Sequence, residues 1–247
     1  MVNAAAQDQW RLLDVQDLDT RLAQIAHRLR TLPEHLEVER LQARLADTVN
    51  RLALARAEAG DIGRELIKAE ADVEQVRQRA ARDRARLDSG QGSAKDLTAL
   101  QHELRTLAER QGVLEDVELA VMERQEAAQA RVDGIGVEQE GLQTEIEQVS
   151  ARRDLQAASL QEESAKLSTD REQAAAGIPA DLIELYERVR AASGGVGAAR
   201  LYQRRCEGCR LELNATERGR IRAAPDDAVI RCEECGRILV RTPDSGL

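Results

Sequence analysis

Apolar side chains recur along most of this chain at alternating intervals of three and four. From Leu18 the series runs Leu22, Ile25, Leu29 and Leu32. Pro33 interrupts it, because proline lacks an amide hydrogen and disfavours helix at the residue before it. The series resumes through Val38, Leu41, Leu45, Thr48, Leu52, Ala55, Ala59, Ile62, Leu66, Ala69, Val73, Val76 and Ala80. An unslipped heptad repeat of this length predicts a coiled-coil seam.

The period stops at LDSGQGSAKDL, where Gly90 and Gly92 disfavour helix and Ser93 can cap a new one. A second seam runs through Leu97, Leu100, Leu104, Leu107, Gln111 and Leu114. It weakens around Gly134, Gly136 and Gly141, recovers at Leu142, Ile146 and Val149, and fades near Ala174. Each arm has about 80 residues, roughly 120 Å of helix. Equal arms around a glycine break predict an antiparallel hairpin over residues 8–175, with a tip at about 89–96 and a kink near 33. The same seam could instead pair two chains, so monomer and dimer both stay open.

Beyond the arms, GIPADLIELYERVR predicts a short connecting helix over 178–192. Pro179 sits near its first position, and Leu182, Leu185, Tyr186 and Val189 share one face. SGGVG, residues 193–197, reads as a flexible linker or turn. Residues 198–242 then read as short strands at 201–203, 211–213, 228–230 and 237–241. The fold class is mainly α: a long antiparallel coiled-coil hairpin with a small C-terminal β domain.

Composition agrees with an extended helical protein. Aromatic residues are 1% of the chain, Phe is absent and charged residues reach 33%, so an ordinary aromatic-rich core is excluded. The net charge of −9 repels nucleic acid and anionic membranes, but it is unevenly spread. From Gly197 onward ten arginines face eight acids. The first ten residues lack the basic and apolar regions of a signal peptide, and no apolar run is long enough to span a membrane. A cytoplasmic location is expected.

All four cysteines lie in the last 42 residues, as Cys206-x-x-Cys209 and Cys232-x-x-Cys235. Two such pairs separated by 22 residues match the spacing of a four-thiolate zinc ribbon. A redox pair would open a helix in a βαβ unit, and these pairs sit among strands. Four thiolates also leave a metal no open position for catalysis. One structural zinc ion is expected, its knuckle turns helped by Gly208 and Gly236. His27, His35 and His102 lie in the coiled-coil region and read as helix-surface or seam residues. No phosphate loop or nucleophile–histidine pair is present, so no enzyme is expected.

Two surfaces are candidates for partners. Around the cysteines, Arg200, Arg204, Arg205, Arg210, Arg218, Arg220 and Arg222 could meet phosphates, and Tyr202 could stack on a base. Interleaved acids allow the plainer reading of a mixed-charge solvated surface. At the tip, Gly90, Gly92, Ser93, Lys95 and Asp96 are placed for a protein partner, or form only a turn.

The tip SGQGSAKDLTALQHEL, the segment IPADLIELYERVR and the paired CEGCRLEL and CEECGRIL together resemble the bacterial C4-type zinc ribbon domain proteins, and the similarity spans nearly the whole chain. The family's tip usually reads Asn-Pro-Lys-Glu where this chain has Ser93-Ala94-Lys95-Asp96, and Arg210 stands where histidine is frequent. The resemblance implies a cytoplasmic adaptor or regulator, with a sigma factor, a secretion component or RNA as its partner.

Overall fold

The computed structural model describes residues 2–247. Four long or medium helices come first: α1 (Ala6–Arg30), α2 (Pro33–Asp88), α3 (Ala94–Ala176) and α4 (Ala180–Ala192). There follow β1 (Ala198–Tyr202), β2 (Arg205–Cys206), α5 (Ala215–Ala223), β3 (Ile230–Arg231), β4 (Ile238–Val240) and a 3-10 turn at Pro243–Ser245. Proline at position 33 breaks the first arm outright and opens α2, where its missing amide hydrogen costs nothing.

The chain divides into two compact units. One, Leu36–Ser150, is an antiparallel helix pair formed by α2 and α3 within one chain. Its core interleaves Val38 and Leu41 with Leu142 and Val149, then Leu52 and Ala55 with Ile135, then Ala59 and Ile62 with Val121 and Ala128. Ion pairs such as Arg131–Glu58 at 2.7 Å and Arg124–Glu65 at 2.9 Å flank this seam. Being exposed, they add register more than stability. The glycines that weaken the sequence pattern do not interrupt α3, because Gly134 and Gly141 lie on its exposed side, off the seam. The turn between the helices uses left-handed backbone at Gly90, φ 64°, and Gly92, φ 132°. Ser93 and Asp96 cap each other, Asp96 N donating to Ser93 Oγ at 3.2 Å and Ser93 N to Asp96 Oδ2 at 3.0 Å.

The other unit joins Met1–His35 to Ala151–Leu247. Its four strands run in the order β2-β1-β4-β3, with β1 and β4 parallel and the other pairs antiparallel. Strand β4 is buried throughout, and its two faces serve different cores. Ile238 and Val240 pack with Leu12 and Val15 of α1 and with Leu182, Tyr186 and Val189 of α4. Leu239 turns the other way, onto Leu201, Leu213, Ile221 and Ile230. The ribbon therefore borrows helix surface for half of its core, which a unit this small needs.

Three local features sharpen the sequence reading. Residues 211–213 are not a strand; only an isolated bridge pairs Arg205 with Glu212. Residues 215–223 form helix α5, started by Asn214, whose side chain accepts from Glu217 N at 2.8 Å. Of the two readings of 193–197, the turn holds and the flexible linker does not: Gln16 Oε1 accepts from Gly197 N at 2.7 Å, and Gln16 Nε2 donates to Gly195 O at 3.2 Å.

Candidate metal centre

Each cysteine pair sits in a tight turn that aims two sulfurs inward. Arg210 N donates to Cys206 O at 2.7 Å and Gly236 N to Cys232 O at 2.9 Å, closing both turns in the same way. The residue after the second cysteine of each pair is left-handed, Gly236 at φ 70° and Arg210 at φ 61°. The expectation that Gly208 supplies a left-handed turn is therefore corrected; the first knuckle places Arg210 there. Glycine at 208 answers a steric need, since a Cβ would lie 2.7 Å from Arg237 Cδ and 2.9 Å from Ala199 Cβ.

The two knuckles converge. Cys206 and Cys235 sulfurs are 3.9 Å apart, as are those of Cys209 and Cys232, and all four lie within 4.8 Å of one another. A disulfide needs about 2 Å. Sulfurs placed tetrahedrally around zinc at about 2.3 Å are about 3.8 Å apart. The donor set fits one structural zinc ion, with its four positions filled by thiolates.

Electrostatics points the same way. Burial pushes the Cys206 thiol well above its ordinary range, against backbone N–H donors from Cys209 and Gly208. Burial pushes Cys232 up to about 11, again against backbone donors, here Cys235 and Glu234. Burial also opposes ionisation of Cys235, but Arg237 and the neighbouring thiols of Cys232 and Cys209 together outweigh it and hold that thiol down. Closely spaced thiolates repel, and a divalent cation relieves that repulsion.

Polar surroundings that the sequence pattern does not reveal hold the ribbon against the helices. Tyr186, fully buried, donates to Asp19 Oδ2 at 2.7 Å and to Gln16 Oε1 at 3.2 Å. Arg171 and Arg190 reach Asp19 Oδ1 at 3.2 and 3.4 Å, and both also pair with Glu187. Burial first, and then the Asp19 carboxylate, push the Tyr186 phenol far above its usual range. The available signal was the polar pair Gln16 and Asp19 within the stripe that also carries Leu12 and Val15. Glu217 is also buried, and its Oε1 accepts from Glu233 N at 3.1 Å, fastening α5 to the second knuckle.

The arginine candidates separate into two groups. Arg200 and Tyr202 point outward from β1, and Arg205 pairs with Tyr202 across the strands, so these three share a face. Arg210 and Arg222 have no carboxylate partner among the described residues. Arg204 donates to Gly246 O at 3.0 Å, Arg218 pairs with Glu212 at 3.4 Å, and Arg220 pairs with Glu233 at 3.1 Å. At the hairpin turn, Gly90, Gly92, Ser93, Lys95 and Asp96 are all exposed.

Comparison with known proteins follows this architecture. Residues 15–194 match the CT398-like coiled coil hairpin domain, and residues 205–239 match the C4-type zinc ribbon domain. The chain is 37% identical over 240 residues to uncharacterized protein Rv2229c of Mycobacterium tuberculosis, covering 97% of this chain and 98% of that protein. A solved structure from Mycobacterium smegmatis has a TM-score of 0.85 at 38% identity, covering 98% of this chain and all of that one. CT398 of Chlamydia trachomatis shares the fold, with a TM-score of 0.65 at 16% identity over 96% of this chain and 98% of that one. No helix among the described residues is long and apolar enough to cross a membrane. With its cysteines gathered into a four-thiolate zinc cluster, the chain belongs to the CT398-like coiled-coil hairpin family that carries a C-terminal C4-type zinc ribbon.

Proposed function

We propose that this protein is a non-enzymatic cytoplasmic adaptor that binds a protein partner through the turn end of its hairpin. The supporting observation is a change in packing along the seam. Val73 and Leu107 are buried, but beyond them Val76, Ala80, Leu97, Leu100 and Leu104 are only half-buried. Small side chains at Ala80, Ala81 and Ala108 leave a shallow groove beside Leu104. Apolar surface that the two helices do not cover themselves is available to a third segment. A sigma factor or a secretion component, implied by the family resemblance, is the first partner to test.

A photo-crosslinker placed at Gln101 tests this in cells. The expected result is one identified protein adduct, lost when residues 90–96 are replaced by a neutral turn and retained when Arg200 and Arg205 become Ala. A crosslinker at Gln101 that yields no specific adduct, while one at Arg205 does, would reject the turn end as the binding site.

A second reading, nucleic-acid binding, is favoured by the shared face of Arg200, Tyr202 and Arg205. Neutralising Arg200 and Arg205 should then weaken RNA or DNA binding and flatten its salt dependence. Unchanged affinity after both substitutions removes that reading.

A further inference from the structure

One side chain joins the cysteine cluster to the segment that docks it. Arg237 lies two residues after Cys235, and its guanidinium spreads over three carbonyls. Nη2 donates to Ser193 O at 2.9 Å, Nε to Val196 O at 3.1 Å and Nη1 to Gly208 O at 3.3 Å. Ser193 ends α4, Val196 lies in the segment joining α4 to β1, and Gly208 lies inside the first knuckle. The same residue serves the second knuckle. Its carbonyl accepts from Cys232 N at 3.0 Å. Its aliphatic stem fills the space that the absent Gly208 side chain leaves. A guanidinium suits this role because its five donors are held in a fixed planar fork.

We propose that Arg237 makes metal loading of the cysteine cluster and docking of the ribbon on α1 and α4 a single linked equilibrium. With both knuckles held on a metal, Gly208 and the main-chain bond from Cys232 fix the fork in the position from which it also holds Ser193 and Val196. When the knuckles part, the fork loses its footing and those carbonyls lose their donor. Among the described residues, the side-chain hydrogen bonds from α1 that then still hold the segment are those of Gln16, to Gly195, Gly197 and Ala198. Linkage is reciprocal: the factor by which docking strengthens metal binding equals the factor by which metal strengthens docking.

The chain carries its own probe for docking. Trp10, its only tryptophan, lies on α1 and donates its indole N–H to Arg241 O, just after β4, at 2.6 Å. In the full-length protein, Zn²⁺ affinity is measured by competition with a chromophoric chelator, and docking by Trp10 emission. Removing zinc should shift Trp10 emission to the red. Arg237→Met should weaken zinc binding about 10- to 100-fold, the range typical of residues that orient metal ligands. Gln16→Ala touches no cysteine, yet it should also weaken zinc binding, and it should add nothing once Arg237 is Met.

The proposal is overturned if Arg237→Met binds zinc as tightly as the parent. It is equally overturned if Gln16→Ala red-shifts zinc-loaded Trp10 without changing zinc affinity, or if the two substitutions act additively. Should Arg237→Met lose its helical signal, Gln16→Ala alone decides between linkage and its absence. Arg237→Lys, which keeps the charge and stem but lacks the fork, should fall between parent and Met.

Discussion

Replacing Tyr186 with Phe isolates one hydroxyl at the place where ribbon and helices meet. The ring stays, so its packing against Leu12, Leu182 and Ile238 is preserved. What disappears is the donor to Asp19 Oδ2 at 2.7 Å and Gln16 Oε1 at 3.2 Å. Asp19 is 5% exposed and keeps Arg171 and Arg190, so its charge is not abandoned. A hydrogen bond to a charged acceptor contributes about 1.5–3 kcal/mol. About 2 kcal/mol is therefore the expected loss, a fall of about 4–8 °C in melting temperature for a chain of this length. Urea unfolding followed through Trp10 reads the same unit, since Trp10 bonds across to Arg241. Asp19→Asn supplies the control: in its background Tyr186→Phe should cost well under half as much, because the acceptor is no longer charged. A Tyr186→Phe protein within about 0.5 kcal/mol of the parent would refute the reasoning, because that is less than the low end for a neutral buried hydrogen bond.

Three further outcomes are expected. Gly134→Ala, Gly136→Ala and Gly141→Ala should each stabilise the hairpin by up to about 1 kcal/mol, since a Cβ at each meets nothing within 4 Å and the backbone is helical; thermal melts by circular dichroism check this. Asp96 should titrate below the ordinary carboxylate range, because Ser93 donates to it from side chain and backbone. Its contribution to the turn is present above its unfolded pKa and is lost as pH falls through the lower folded value, and Ser93→Ala should move its NMR titration back up. Chelating zinc should collapse the dispersed amide signals of residues 198–240 while leaving most of the helical signal, since α1, α2, α3 and α4 contain no cysteine.

The coiled-coil seam was legible because its spacing is set by helix geometry alone. Every seam position read from the sequence between Leu18 and Ala80 is buried or half-buried. The cysteine spacing was legible because metal geometry fixes it. Helix α5 is hard to read although Asn214 and Glu217 form a starting signal, because it is short and strand patterns flank it on both sides. The docking of the ribbon was not legible at all. It depends on Gln16, Asp19 and Tyr186 meeting across as many as 170 positions, and a polar residue in an apolar stripe does not name its partner. Arg237 was invisible for the same reason, since three of its acceptors are main-chain carbonyls that any residue would provide.

Residues near the start of the chain lie against residues 227–241. Asn3 bridges to Ala228, Ala4 N donates to Asp227 O at 2.8 Å, and Trp10 reaches Arg241. During synthesis at about 5–20 residues per second, α1 emerges roughly ten to forty-five seconds before the strand that covers it. The helix pair of Leu36–Ser150 can close in that interval, using only neighbours already made. The apolar stripe of Leu12 and Val15 cannot; it meets Leu182, Tyr186 and Val189 of α4 late, and its cover is complete only when Ile238 and Val240 arrive. A nascent chain stalled before its last cysteine pair thus leaves that stripe partly uncovered, which makes the sixteen residues from Cys232 onward the step that completes this core.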